Sequence, residues 1–525
     1  MHSIPSQPLA RRSLAILAAL VALAIIARAL PGPRTIDDAF ITFRYSRNLV
    51  EGEGFVYNPG VRTLGTTTPL FTVLMAAISA ITGGQEFPWY AIAVSAVADA
   101  GTCVLLFLIA RRLTGSEWLG ALLGALWAVS PRSVTFAVGG METSLTIFWM
   151  VGAVWWYITG RERWMGVFAA LGLLTRIDSA LWVAPLFLYQ LIERLRAPRD
   201  GSLLARLPWR TWILCAVVLL PWLVFSLVYF GSPLPNSVAA KTAAYVLSPG
   251  AALSTFITAY ATPFFEFDTF GAVGAMVAAV VYFALSLFGI AFAARRLPRL
   301  LPFLIYPWLY FVVFSLANPL IFRWYLVPPL PALMLGISAG AWSLLSALER
   351  APRLRPASAL VMAAIGVVWL GTSLNAWTLH PTHGADRPAP EMAWHEIELL
   401  YEQIGTELRD EHGVTPQVRV GSADIGAVGY FSRATIVDTV GLVTPELSRY
   451  YPVPSDLIAP DQNYAIPPRL ILDTQPAYLV TMEGFVRQGL EQNAEFRADY
   501  ELIEEIPTGF YGTGMRLYRR RERAS

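Results

Sequence analysis

Residues 13–30 read SLAILAALVALAIIARAL, an apolar run with a single charge, Arg28, near its end, and residues 37–51 just beyond it read DDAFITFRYSRNLVE, two acids leading into a helix-forming stretch. The run follows Arg11 and Arg12 and is long enough to cross a bilayer, where a span takes about 17–25 residues. A cleaved signal peptide carries a shorter apolar region, so the run reads as a first transmembrane helix. The acidic segment then opens outside the membrane. At 100° per residue Asp37, Arg44, Asn48 and Glu51 share one stripe with Arg47 at its edge, while Ala39, Phe43, Leu49 and Val50 face the other way. The pattern predicts a helix lying along the outer membrane surface.

The rest of the chain repeats the first pattern. Of 525 residues 55% are hydrophobic and only 14% charged, against about 25% charged in soluble proteins, and the mean hydropathy is +0.51. Further apolar segments fall near 90–110, 117–131, 143–159, 164–176, 179–193, 210–230, 270–293, 300–318, 325–347 and 357–377. The chain is therefore a polytopic α-helical membrane protein with about eleven spans. Arg11 and Arg12, Arg111 and Arg112, Arg161 and Arg163, Arg194 to Arg210, Arg295 to Arg299, and Arg350 to Arg355 occupy alternate connections. The positive-inside rule makes those connections and the N-terminus cytoplasmic, and the opposite end extracytoplasmic, in an inner or plasma membrane. The apolar run Pro69 to Ile81 is too short to cross and reads as a re-entrant or interfacial helix within a first outer loop, 31–89. A second long outer loop covers 231–269.

Beyond residue 377 the composition turns polar, so residues 1–377 read as a membrane domain and 378–525 as a soluble extracytoplasmic domain. A helical stretch at 391–411 and β-like runs at Val418–Val420, Thr435–Val440, Ala477–Thr481 and Met515–Tyr518 make it a small α/β domain, with Arg519, Arg520, Arg521 and Arg523 ending a solvated strand. A net charge of +2 without a basic stripe speaks against a nucleic-acid partner. Cys103 and Cys215 lie in apolar runs, which excludes a disulfide framework.

Ionisable groups beside membrane segments are costly and point to function. Asp37 and Asp38 stand at a helix N-terminus, where the dipole favours a carboxylate, and are candidate acid/base groups, with helix capping the alternative. Asn58-Pro59-Gly60 has the form of a tight turn. Gly65-Thr66-Thr67-Thr68-Pro69 opens the short apolar helix with hydroxyls suited to capping it or to meeting a phosphate. Glu142, Arg176 with Asp178, Asn236, Lys241, Arg323 and Tyr325 recur at other boundaries on the same side, and Lys241 is the only lysine. Their convergence suggests one polar site in which cations meet a lipid phosphate.

These residues resemble a family. The runs Asp37 to Leu49, Gly52 to Gly60 and Thr68-Pro69-Leu70-Phe71 are similar to the first-loop signature of the GT-C superfamily of integral membrane glycosyltransferases, and most similar to its mycobacterial terminal arabinofuranosyltransferase-like branch. Gly140 to Thr143, Thr175 to Asp178, Leu234 to Ser237 with Ala240-Lys241, Phe322 to Leu326, Gly421 to Tyr430 and Val437 to Leu442 extend the resemblance over most of the chain. It departs at Phe71, where a tryptophan is usual, and at Ile177, where a proline is. The resemblance implies transfer of a sugar, arabinofuranose in that branch, from a polyprenyl-phosphate donor to a cell-envelope glycan or glycolipid acceptor. It implies a catalytic carboxylate at Asp37 or Asp38, with Asp37 favoured because it shares the stripe with Arg44. Lys241, Arg44, Arg323 and Arg176 would stabilise the departing lipid phosphate.

Two other classes fit the composition. A transporter or flippase of lipid-linked sugar would carry paired interrupted helices and midplane charges, and a non-catalytic envelope scaffold would need no acid pair. Asp424 reads as a turn former, with substrate contact the alternative. No cofactor is expected, and the five histidines show no metal-ligand spacing. A divalent ion held by Asp37, Asp38 and Glu142 stays an option, since hard cations take carboxylates.

Overall fold

The structure, a computed structural model, describes residues 10–196, 202–348, 353, 355–377 and 395–522. His380, His383, Asp386, Arg199, Arg350, Arg523 and the start of the helix expected at 391–411 lie outside the described residues. Every apolar segment picked out by sequence is helical. The membrane part runs α1 (Arg11–Ala29), α2 (Asp37–Val50), α3 (Pro69–Thr82), α4 (Phe87–Thr114), α5 (Glu117–Val129), α6 (Pro131–Val138), α7 (Thr143–Ile158), α8 (Glu162–Thr175), α9 (Ala180–Arg196), α10 (Leu203–Arg206) and α11 (Trp209–Phe230). It continues through α12 (Ser237–Ala244), α13 (Ala251–Ala261), α14 (Glu266–Arg296), α15 (Leu301–Ala317), α16 (Leu330–Leu348) and α17 (Arg355–Asn375).

Among the described residues seven helices are long and apolar enough to cross a membrane, namely α1, α4, α11 and α14 to α17, or eight when the pair α5–α6, bent by 45°, counts as one span. The expected count of about eleven is not reached on length, because α7, α8 and α9 have 16, 14 and 17 residues. Polar connections cut them short: Glu142 precedes α7, and Arg176 to Asp178 separate α8 from α9. Pro131, which cannot donate a backbone hydrogen bond, marks the bend between α5 and α6.

Small residues bring the bundle together, as membrane packing without a hydrophobic driving force requires. A Cβ on Gly340 would stand 1.9 Å from the Leu285 carbonyl oxygen and one on Gly289 2.0 Å from that of Gly336, so the α14 and α16 backbones touch. A polar knot ties α1 to its neighbours: Arg28 Nε meets Asp99 Oδ2 at 3.0 Å with both side chains fully buried. Trp127 Nε1 and Ser144 Oγ donate to the same carboxylate at 3.0 and 2.7 Å.

The C-terminal domain holds α18 (His395–Asp410), α19 (Gly426–Ser432), α20 (Pro468–Thr474) and α21 (Ala494–Asp499) around a sheet of β1 (Arg419–Ser422), β2 (Thr435–Asp438), β3 (Tyr478–Met482), β4 (Tyr500–Pro507) and β5 (Gly514–Arg520). The order is β2-β1-β3-β5-β4, parallel across the first three strands and antiparallel at the β5 and β4 side. The domain is α/β, as its alternation suggests. The edge strand β4 was not among the runs read from sequence, because Glu501, Glu504 and Glu505 mask its alternation, and such charges are what an edge strand tolerates.

Helix α2 is enclosed by protein: Ala39 to Asn48 are all buried, because α3 packs on one side of it and α19 of the C-terminal domain on the other. Arg44 and Asn48 of its polar stripe meet protein, while Glu51 at its end is exposed.

Candidate active site

Asp37 and Asp38 are neighbours on α2 but about 100° apart around it, so they serve different surfaces. Asp37 faces the C-terminal domain. Its carboxylate accepts from Gly426 N at 2.8 Å and Ala427 N at 2.7 Å, the first donors of α19, while its own N–H donates to Glu398 Oε1 at 3.1 Å. A side chain at position 426 would collide with Asp37, since a Cβ there would lie 1.8 Å from the Asp37 carbonyl oxygen, and glycine is what permits the contact. Burial first, then Asp424 and Asp38, push the Asp37 carboxyl up to about 8 against the two N–H donors.

Two turns along the same stripe, Arg44 is 1% exposed. It donates to the carbonyl oxygens of Tyr57, Gly429 and Ala434 at 2.8, 2.6 and 2.6 Å and to Asn58 Oδ1 at 3.1 Å. Asn48 Nδ2 donates to Val56 O and Tyr57 O, both at 2.9 Å. The Asn58-Pro59-Gly60 turn forms as expected, with Gly60 at φ +82, and it delivers Asn58 to this seam. The expectation that Arg44 meets the departing phosphate is therefore corrected: its guanidinium is fully engaged in fastening α2 to the C-terminal domain.

Asp38 faces a different side, into a cavity of about 90 Å³ lined by Thr42, Thr66 to Thr68, Glu142, Arg176, Ser237, Lys241, Trp324 and Tyr325. Asp38 Oδ2 lies 3.4 Å from Lys241 Nζ, with the two side chains 28% and 23% exposed. Lys241 Nζ also stands 4.4 Å above the Phe322 ring. Burial pulls the Lys241 ammonium down, but Asp38 and its neighbours outweigh that, and its pKa is raised. Across the cavity Arg176 Nη1 meets Glu142 Oε1 at 2.9 Å, and its Nε and Nη2 make a two-pronged contact with Asp178 at 2.9 and 3.0 Å. The same guanidinium lies 4.8 Å from the Tyr325 ring centre. Phe322 and Trp324 stack at 4.7 Å beside them.

The threonine row was open to capping α3 or to meeting a phosphate. Thr68 stands at the N-cap position without a side-chain cap bond, its hydroxyl sharing hydrogen bonds with those of Thr42 and Thr66, each at 3.1 Å. That network directs hydroxyls to the cavity.

Of the residues singled out from sequence, Asp38, Glu142, Arg176, Lys241 and Tyr325 line one cavity, and Asp178 holds Arg176 from behind. Asn236 is elsewhere, donating to Gly441 O at 2.6 Å, and Arg323 is exposed. Asp37, Asp38 and Glu142 do not converge as a cation cage, because Asp37 is turned to α19, and no group of three metal-ligating side chains occurs among the described residues. Sequence reasoning gave Asp424 a turn role, yet this half-buried side chain accepts from Tyr401 OH at 2.8 Å. Burial raises its carboxyl to about 6, with Asp38 raising it further and Tyr401 and Lys241 lowering it. Ser237 and Trp324 were missed as lining residues although they sit inside quoted motifs; Glu398 carried no local signal.

Comparison with known proteins follows the same lines. Residues 66–225 match the family of dolichyl-phosphate-mannose-protein mannosyltransferases, and residues 390–521 match a domain family of unknown function. The chain is 28% identical over 227 residues to the terminal β-(1→2)-arabinofuranosyltransferase of Mycobacterium tuberculosis. That match takes in 40% of this chain and spans about a third, 35%, of the relative's length. The archaeal oligosaccharyltransferase AglB of Archaeoglobus fulgidus superposes with a TM-score of 0.55 at 12% identity, over 94% of this chain and 72% of that one. ArnT of Cupriavidus metallidurans superposes at 0.53 and 16% identity, over 96% and 97%. The chain has the GT-C membrane fold, with a C-terminal α/β domain docked on it.

Proposed function

We propose that this chain, built on the GT-C fold, is a membrane glycosyltransferase that moves a sugar from a polyprenyl-phosphate donor to a cell-envelope glycan or glycolipid acceptor at the outer membrane face. The relative's activity suggests arabinofuranose as the sugar. The observation that carries the reading is the Asp38–Lys241 pair, 3.4 Å apart, in a cavity enclosed between the helical bundle and the C-terminal domain.

Asp38 is the better candidate for the base. Glu142 is bound to Arg176 at 2.9 Å and both Asp37 oxygens are held by backbone N–H groups, whereas the contact of Asp38 with Lys241 is loose enough to yield to an acceptor hydroxyl. In the proposed step Asp38 takes the proton from that hydroxyl, and the oxygen attacks the anomeric carbon. The bond from that carbon to the phosphate oxygen breaks, and its electron pair leaves with the polyprenyl phosphate. Lys241 stabilises the charge that gathers on the departing phosphate, a task for a preplaced cation in a site shielded from water. Arg176, over-neutralised by Glu142 and Asp178, positions Tyr325 rather than the phosphate.

The test is transfer by the full chain in lipid nanodiscs from a panel of radiolabelled polyprenyl-phosphate sugars to a cell-wall extract. Asp38→Asn is expected to lower the rate by at least about 100-fold, the low end for loss of a general base, and Asp37→Asn by much less. Labelled lipid crossing the bilayer without transfer makes the protein a transporter instead.

A further inference from the structure

On the far side of α2 from Asp38 lies a second cavity, of about 310 Å³, where α18 and α19 meet the connections flanking α2 and α4. Phe40, which lines it, is 200° around α2 from Asp38, so the two cavities are separated by roughly a helix diameter, about 10 Å. The lining joins three rings, Phe40, Tyr430 and Phe431, to three carboxyl groups, Glu86, Glu398 and Glu402, and contains no lysine or arginine among the described residues. The rings pack on one another with centroids 5.1 to 5.3 Å apart, which makes a rigid wall. Glu398 is 4% exposed; one oxygen accepts from Asp37 N, and the other is buried with no hydrogen-bond partner. A buried carboxyl oxygen left unpaired is costly, and a ligand hydroxyl donating to it removes that cost.

The chemistry of this lining selects among ligands. Aromatic walls with a few placed polar groups are the usual make-up of a small-molecule site, and the volume falls within the usual range of about 300–1,000 Å³. Three carboxyl groups with no cation beside them in the lining offer a phosphate no charge partner, which argues against the lipid-linked donor. They suit a neutral molecule dense in hydroxyls, with apolar C–H faces for the rings. We propose that this cleft holds a sugar residue of the acceptor glycan, remote from the bond being formed. The assignment rests on the glycosyltransferase reading for the word acceptor. Burial and then the facing Asp37 hold the Glu398 carboxyl well above the ordinary range, and burial raises that of Glu402.

The experiment measures binding of a neutral arabinofuranosyl tetrasaccharide to the full chain in nanodiscs by saturation-transfer NMR, beside transfer kinetics with donor and acceptor varied separately. Glu402→Ala, at a half-buried position away from Asp37, and Glu398→Gln are each expected to weaken tetrasaccharide binding about fivefold, the scale of one hydrogen bond. Each is also expected to raise the acceptor KM more than it lowers kcat. Unchanged binding in both variants, or a raised KM for the donor instead, overturns the assignment. A native chain that binds the tetrasaccharide, loses it in the variants and transfers no sugar sustains the cleft and overturns the enzymatic reading.

Discussion

Two adjacent aspartates divide the work at the start of α2, and only their angular separation tells them apart. Asp37 joins domains through Gly426 N and Ala427 N, and Asp38 meets Lys241 in the cavity. If Lys241 stabilises the leaving phosphate, Lys241→Met lowers kcat by about 10²–10³, the usual loss when one preplaced electrostatic partner is removed. Donor turnover in nanodiscs checks this, and a change confined to KM would assign Lys241 to binding alone. Arg44→Met leaves the carbonyl groups of Tyr57, Gly429 and Ala434 without their donor. The expected loss is about 3 kcal/mol of stability, read as a lowered melting temperature in detergent, with increased hydrogen exchange in α19.

At the scale of elements, the junction between α2, α18 and α19 gathers three carboxyl groups, Asp37, Glu398 and Asp424, which cannot all ionise cheaply together. Burial is the leading cause in each case, and it pushes Asp424 up to about 6 and Asp37 up to about 8. Values above the ordinary carboxyl range mean that the folded chain holds protons which the unfolded chain releases. The stability they contribute is thus complete below about pH 4 and is lost as pH rises through about 6 and then about 8. Thermal melts from pH 5 to pH 9 should show this decline, and Asp37→Asn should flatten its upper part; a curve that rises instead would show ionised Asp37 to be the favoured partner of α19. Between α14 and α16 the contact is backbone to backbone, so Gly340→Leu must separate the helices at Leu285. Overpacking of this kind costs about 1–3 kcal/mol, and the variant should melt lower with its membrane insertion unchanged.

For the molecule as a whole, the Arg28–Asp99 knot unites α1 with α4, α5, α6 and α7. Asp99→Ala strands a buried guanidinium and should cost about 3–5 kcal/mol, measurable as lost thermal stability and as faster proteolysis of the whole chain; a melt equal to the native one would show the charge to be relieved by water. This pair escaped the sequence reading because each member lies singly in an apolar run, where only a partner 71 residues away gives it meaning. The sequence by itself determined the membrane class, the helical nature of the apolar segments, four of the five strands and the cluster of Asp38, Glu142, Arg176 and Lys241, because hydropathy, period and the cost of charge near lipid are local properties. Only the tertiary structure decided that α2 is enclosed between α3 and α19, that Asp37 and Arg44 fasten two domains, and that Glu398 and Asp424 approach the same helix from 361 and 387 residues away. Those outcomes depend on which face of one helix another domain covers, and the energy of that contact is shared between segments that carry no trace of each other in sequence.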